Sequence, residues 1–382
     1  MEKQIYLSYI SALESSLKSK NPLIQVLLGP RQVGKTTTML KLIEEKFPKN
    51  SLYVSADEVF HSDAEWLNEQ WNIAKQEKKI LFVDEIQKIP NWAEIVKKFY
   101  DESLREKQPV ACVLLGSSSL EIQKGLSESL TGRFQLRRAH HWNFCESQEA
   151  YGLSFENYLK FGGYPGSYGF IQNEKEWSQY VRQSIISTVV EKDILQFSQV
   201  KNPALFKQAF ELLMSYPAQE ISYTKLLGQL QNKGNVELVK HYISLYEGAF
   251  LMKALDKFSG KALKRKASSP KILPLAPCLY YSTRLEDYDQ ESKGHVFEML
   301  VGMQLVRTEE ELFYWREGHD EVDFVLKRGQ KIWAIEVKSG RKRKRSGLLA
   351  FQEKYPSAKS CIIHPENYFE FEKDPLAFLE RF

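Results

Sequence analysis

Glycine, lysine and threonine fall at fixed intervals in LIQVLLGPRQVGKTT, residues 23–37. Gly29, Gly34, Lys35 and Thr36 fit G-x-x-x-x-G-K-[ST]. The chemistry served by that spacing is the holding of a polyphosphate. Glycines let the backbone curl until its N–H groups point inward at phosphate oxygens. A helix from about Lys35 to Phe47 adds the positive end of its dipole. The Lys35 ammonium reaches the β- and γ-phosphates and the Thr36 hydroxyl ligates Mg²⁺, with Thr37 among the nucleotide contacts.

The partners of such a loop are expected downstream. In KKILFVDEIQKIPNW the apolar run Ile80–Val83 ends in Asp84 and Glu85. An acid at a strand tip holds Mg²⁺ through water, which is the role read for Asp84. Glu85 is suited to polarise a water for attack on the γ-phosphate, or serves as an acid favoured by a helix dipole. VACVLLGSSS then places Ser117 or Ser118 near that phosphate, or uses the serines to cap a helix. In LTGRF, Arg133 precedes a strand over Phe134–Arg138. Its guanidinium either neutralises charge on the transferred phosphoryl, worth roughly 10³ to 10⁵ in rate, or forms a structural ion pair. Action on a neighbouring subunit's nucleotide would require self-association.

A second constellation lies near the other end. ELFYWREGHDEVDFVLKRGQKIWAIEVKSG, residues 311–340, reads as successive strands, two of them joined by a turn at Arg328-Gly329-Gln330. Side chains two apart share a face, so Glu336 and Lys338 point together, with Asp323 on the partner strand able to face them. Upstream, KGHVFEMLVGMQLV reads as a helix carrying Glu298 among apolar neighbours, where a carboxylate needs a partner or a metal. Asp, Glu-x-Lys and a helix acid form the constellation of the PD-(D/E)xK nuclease fold. In that chemistry Asp323 and Glu336 hold Mg²⁺ or Mn²⁺, Glu298 completes the shell, and Lys338 orients the metal's water or steadies developing charge. Glu321 shares the face of Asp323, so the acid assignment stays open between them. An inactive nuclease-like fold, or a surface hairpin with a salt bridge, is the alternative.

Certain elements must position these groups. Apolar strands alternating with helices over the first part of the chain predict an α/β fold, a doubly wound parallel sheet with ligands at the strand C-terminal ends. The predicted domains are 1–150, 151–267 and 268–382. FENYLKFGGYPGSY reads as a hinge, and residues 174–215 as helices whose Glu191 and Asp193 form a solvated or salt-bridged end rather than a site. Tyr223–Leu230 and Val236–Leu245 flank a polar turn at helix-turn-helix spacing. The second helix offers Asn235, Glu237, Lys240 and His241 to a major groove, or the pair is a protein–protein spacer. KALKRKASSPKILP is read as a linker, with an additional phosphate contact as the alternative.

The 382 residues carry 53 basic and 49 acidic groups, a balance of only +4. Arg341–Arg345 nevertheless concentrates five cations directly after the Glu-x-Lys strand, a local surplus that fits a nucleic-acid backbone or a solvated loop. The four cysteines show no paired spacing, which argues for a reducing, cytoplasmic setting and against zinc or disulfides. The opening residues lack the apolar core of a signal peptide, and no run approaches the roughly 20 apolar residues of a membrane span.

GPRQVGKTT, FVDEIQKIPNW, LLGSSS and LTGRF together resemble the AAA-type module of a bacterial and archaeal ATPase family, over about the first 140 residues. The resemblance implies adenine nucleotide, Mg²⁺ and hydrolysis. It assigns phosphate binding to Gly29–Thr36, metal contact to Asp84, the base role to Glu85 and the finger role to Arg133. It also implies a winged helix in the middle of the chain and a PD-(D/E)xK-like C-terminal domain. NKGN at 232–235 lacks the final acid of a guanine-reading N-K-x-D.

Overall fold

Ile24–Leu28 (β1) is buried along its whole length, as expected of a strand covered on both faces. It lies within a five-stranded sheet whose other members are Ser51–Ser55 (β2), Ile80–Asp84 (β3), Cys112–Leu115 (β4) and Phe134–Arg138 (β5). The order is β2-β3-β4-β1-β5, and every neighbouring pair is parallel. After β4 the chain crosses to the far side of β1, so the sheet has a switch point beside β1. Ligands of such sheets collect at the strand C-terminal ends near that point. This is the doubly wound sheet expected from the sequence.

These descriptions come from a computed structural model that covers residues 7–19, 22–58, 62–116, 119–195, 198, 200–230, 234–259, 268–284, 288–339 and 346–382. Ser117 and the run Arg341–Arg345 therefore lie outside the described residues, as does most of the basic segment after Gly260. Among the described residues no helix is long and apolar enough to cross a membrane.

The chain divides into two compact units. One comprises Met1–His141 with Glu191–Phe197, and the other comprises Trp142–Val190 with Ser198–Phe382. The expected boundaries at 150 and 267 both shift. The first unit ends nine residues earlier than 150 and takes back a short later segment. The break at 267 disappears for a physical reason. Lys271–Pro274 (β8) hydrogen-bonds to both Gln219–Glu220 (β6) and Met252–Leu255 (β7), so residues on either side of 267 share one antiparallel sheet of order β6-β8-β7.

Within the second unit, helices Tyr223–Gln229 and Val236–Gly248 stand at the predicted positions. Asn235 caps the latter by accepting from the Leu238 N–H at 2.8 Å. Its side chain is therefore engaged locally, and Lys240 is paired with Glu237 at 3.1 Å. Farther on, Glu311–Glu317 (β9), Asp320–Arg328 (β10), Lys331–Val337 (β11) and Lys359–Ile363 (β12) form a sheet of order β12-β11-β10-β9. β9, β10 and β11 run antiparallel and β12 joins β11 in parallel. The β10–β11 turn is one residue tighter than read from sequence, because Arg328 still pairs with Lys331 across Gly329-Gln330. Helix Gln290–Arg307 precedes β9, and helix Ser346–Lys354 bridges β11 to β12. Phe313, Trp315, Val325, Ala334 and Phe351 supply the core between that second helix and the sheet.

Candidate functional site

The loop after β1 has the shape its glycines require. Gly34 sits at φ 83°, a left-handed conformation that costs residues with a Cβ roughly 1–2 kcal/mol. As the N-cap of helix Lys35–Lys46 it offers no side chain to the free backbone N–H groups of the first turn. An N-terminus left open in this way is a ready anion site. Gly29 is confined from another direction, since a Cβ there would lie 2.3 Å from the carbonyl oxygen of Ala139. Gly29→Ala is predicted to push the loop off β5, destabilising the protein by about 1–3 kcal/mol and weakening nucleotide binding. Denaturant unfolding and equilibrium titration check it, and wild-type values in both would contradict it.

Lys35 is buried, and its ammonium lies over the loop, donating to the carbonyl oxygens of Gly29 at 3.0 Å and Pro30 at 2.7 Å. Burial pulls its pKa down to about 8, against the pull of Glu85 and Asp84. A polyanion arriving in the loop would stabilise the charged form. Thr36 Oγ1 donates to Asp84 Oδ2 at 2.7 Å, so the two expected magnesium contacts are side by side. The same carboxylate accepts from the Tyr53 hydroxyl at 2.9 Å and the Glu85 N–H at 2.9 Å. Glu85 follows at φ 52°, and its Oε2 accepts from Gln87 Nε2 at 2.5 Å. Thr37 is exposed on the first turn. The oxygen donors of Thr36 and Asp84 suit a hard divalent cation such as Mg²⁺.

Two groups in this cluster escaped the sequence reading. Arg31, inside the loop, is bound fork-to-fork by Asp193, with Nε–Oδ2 and Nη2–Oδ1 both 2.5 Å. Asp193 is buried, so of the solvated or salt-bridged helix end expected from sequence the salt-bridged form is present, and its acid partners the phosphate loop. Its trace in the sequence is an acid inside the apolar run VVEKDIL. Tyr53 carries no such trace; only the β2–β3 pairing brings it to Asp84.

Arg133 lies at the other edge of the sheet. β5 runs parallel to β1 with Phe134 opposite Ile24, so Arg133 lies where β1 begins, whereas the loop leaves where β1 ends. Five residues of strand, about 16 Å, separate the two edges. Arg133 is instead held by Asp101, at 2.7 and 3.0 Å. It does not reach the loop of its own chain.

The second cluster assembles on β10, β11 and helix Gln290–Arg307. Asp323 Oδ2 accepts from the Val337 N–H at 2.7 Å, which joins the two strands beside Glu336. Glu336 is buried and pairs with Lys338, as the two-residue spacing predicted. Glu336 Oε2 is buried without a hydrogen-bond partner among the described residues. Glu298 pairs with a lysine that the sequence reading passed over, Lys271 of β8. Burial pushes the carboxyls of Glu298 and Glu336 upward, and the charge of Asp323 adds to it. Asp323, Glu336, Lys338 and Glu298 thus come together, whereas Glu321 is occupied with Arg316 at 3.6 Å. Yet among the described residues no three acidic, imidazole or thiol groups are arranged to hold a metal ion. Lys338 lies beside Glu336 and Lys271 beside Glu298, so each of these two carboxylates has an ammonium next to it.

Residues 21–159 match the AAA domain family. Residues 152–285 and 293–377 match two domains of unknown function, DUF8612 and DUF4143. An uncharacterized protein of Methanocaldococcus jannaschii is 26% identical over 330 residues, covering 79% of this chain and 72% of that one. One of Mycobacterium tuberculosis is 25% identical over 355 residues, covering 90% and 76%. Among solved structures, a RuvB variant of Thermotoga maritima aligns with 64% of this chain and 87% of its own, at 15% identity and a TM-score of 0.34. The AAA match places the Gly29–Thr36 loop, Asp84 and Glu85 in a nucleotide-binding domain.

For that AAA domain, the Arg31–Asp193 pair yields a prediction. Asp193→Ala leaves a guanidinium beside Lys35 without its carboxylate, at about 2 kcal/mol of stability. Mg²⁺-ATP supplies replacement negative charge, so it should raise the variant's thermal midpoint by more than it raises the wild type's. Equal midpoints without nucleotide would show that the pair contributes nothing.

Proposed function

We propose that the AAA domain binds ATP with Mg²⁺ and hydrolyses it, and that the nucleotide state governs what the rest of the chain binds. The observation carrying this reading is the convergence of an open helix N-terminus at Gly34, buried Lys35, and the Thr36–Asp84 contact next to Glu85. Thr36 and Asp84 would hold the ion, which supplies charge neutralisation at the β- and γ-phosphates. Glu85 accepts a proton from the attacking water. Phosphate release from Mg²⁺-ATP by the purified chain tests the proposal; absence of turnover would reduce it to nucleotide binding. A finger role for Arg133 requires a neighbouring subunit, and Arg133→Ala would then lower turnover in a concentration-dependent way.

The partner favoured on sequence grounds is DNA. Support comes from the Arg341–Arg345 run and from the pair of helices followed by an antiparallel sheet, an arrangement similar to a winged helix. If all five cations meet phosphates of duplex DNA, log K should fall with log salt at a slope of about −4.5. Failure to bind DNA at low salt would favour the other reading, a nucleotide-controlled switch that binds a protein.

The succession of helix, three antiparallel strands, helix and parallel strand in the C-terminal part is similar to the PD-(D/E)xK nuclease core. Asp323, Glu336 and Lys338 are read as the acids and the lysine of that core, supported by the Asp323 bond to the Val337 N–H and the Glu336–Lys338 pair. An additional lysine, Lys271, beside Glu298 and 3.9 Å from Asp323 Oδ1 favours a binding module over a cutting one. No cleavage of plasmid with Mn²⁺ is the expected result; cutting abolished by Glu336→Ala or Lys338→Ala would contradict it.

A further inference from the structure

Lys271 is 7% exposed, an unusual place for an ammonium. Three features keep it there. β8 is fixed on both sides, with Lys271 opposite Glu220 of β6 and Leu255 of β7. Its Nζ pairs with Glu298, donates to the Asp323 carbonyl oxygen at 3.1 Å and stands 3.9 Å from Asp323 Oδ1. The ammonium also lies 4.9 Å from the centroid of the Phe324 ring, a cation–π distance. Carboxylate, carbonyl and carboxylate, all hard oxygens, surround a single positive charge. That is the surrounding a divalent cation would demand at the same spot.

We infer that Lys271 is a built-in cation of the C-terminal carboxylate cluster, occupying the position between Glu298 and Asp323 and excluding a divalent metal. The inference rests on the nuclease-like reading of this cluster and goes beyond it by naming the residue that replaces the metal. An ammonium and a metal ion cannot share the same oxygens at contact distance, because their charges repel and their radii overlap. A metal would have to separate the buried Lys271 ammonium from Glu298, leaving a buried charge without its pair. Lys338 does not take this part, since it pairs with Glu336.

The test is Mn²⁺ binding to the full chain without nucleotide, followed by the electron paramagnetic resonance signal of free Mn²⁺. It compares wild type, Glu336→Gln, Lys271→Met and the double variant. The inference expects wild-type binding to be indifferent to Glu336→Gln. It expects Lys271→Met to gain one site that the double variant loses. Wild-type binding removed by Glu336→Gln would overturn the inference while upholding a metal-dependent nuclease. A folded Lys271→Met that gains no site would overturn both the inference and the metal-site reading. Should Lys271→Met not fold, Lys271→Gln takes its place, and the comparison of wild type with Glu336→Gln still decides whether the native cluster takes metal.

Discussion

Replacing Lys35 by Met is expected to lower ATP turnover by at least about 10²–10³-fold and to weaken ATP binding by about 10- to 100-fold, the value of a charge-assisted phosphate contact. The Lys35 ammonium donates to the carbonyl oxygens of Gly29 and Pro30, and burial depresses its pKa to about 8. The lysine is thus held charged at some expense, in a position that a phosphate would favour. Methionine keeps the length of the side chain and removes the charge, so the fold should remain while the phosphate contact goes. Circular dichroism and a thermal midpoint close to wild type would separate this outcome from unfolding. Turnover within a few-fold of wild type would remove the loop from the mechanism.

Glu85→Gln should act on chemistry alone. Glu85 follows the β3 acid at a left-handed backbone position, φ 52°, which turns its carboxylate away from the strand direction. Asp84 is meanwhile fixed by Thr36, Tyr53 and the Glu85 N–H. Asp84 is oriented beside the Thr36 hydroxyl, where an ion would sit, while the Glu85 carboxylate accepts from Gln87 Nε2 at 2.5 Å. The amide preserves size and removes the proton acceptor. Turnover is expected to fall about 10²- to 10⁴-fold with ATP affinity kept. Single-turnover hydrolysis beside equilibrium titration makes the comparison. Loss of affinity in step with turnover would mean that Glu85 binds rather than catalyses.

What the sequence made legible was what is contiguous. The loop from Gly29 to Thr36 encodes its own geometry, since strand, turn and helix follow one another without a break. The Glu336–Lys338 pair was legible for the same reason, being fixed by strand periodicity. Contacts between distant segments were not legible. Asp193 lies 162 positions from Arg31, and Lys271 lies 52 from Asp323. Each is a charged residue directly followed by Ile-Leu, a setting that does not name its partner. For Arg133 a finger role and a structural ion pair were both open from sequence, and the pair with Asp101 is the one present within the chain. The end of the sheet on which Arg133 falls depends on β5 lying parallel to β1, a property of topology that local pattern does not carry. The pairing across residue 267 was not legible either, because β8 returns to a sheet begun about fifty residues earlier.

Hydrogen–deuterium exchange of the full chain with and without Mg²⁺-ATP tests the nucleotide site most directly. The cradle described here predicts new protection of the amides from Gly29 through Thr37, with a further gain at Asp84–Glu85, and its loss in Lys35→Met. Exchange at those amides unchanged by saturating Mg²⁺-ATP, or protected equally in the variant, would contradict it.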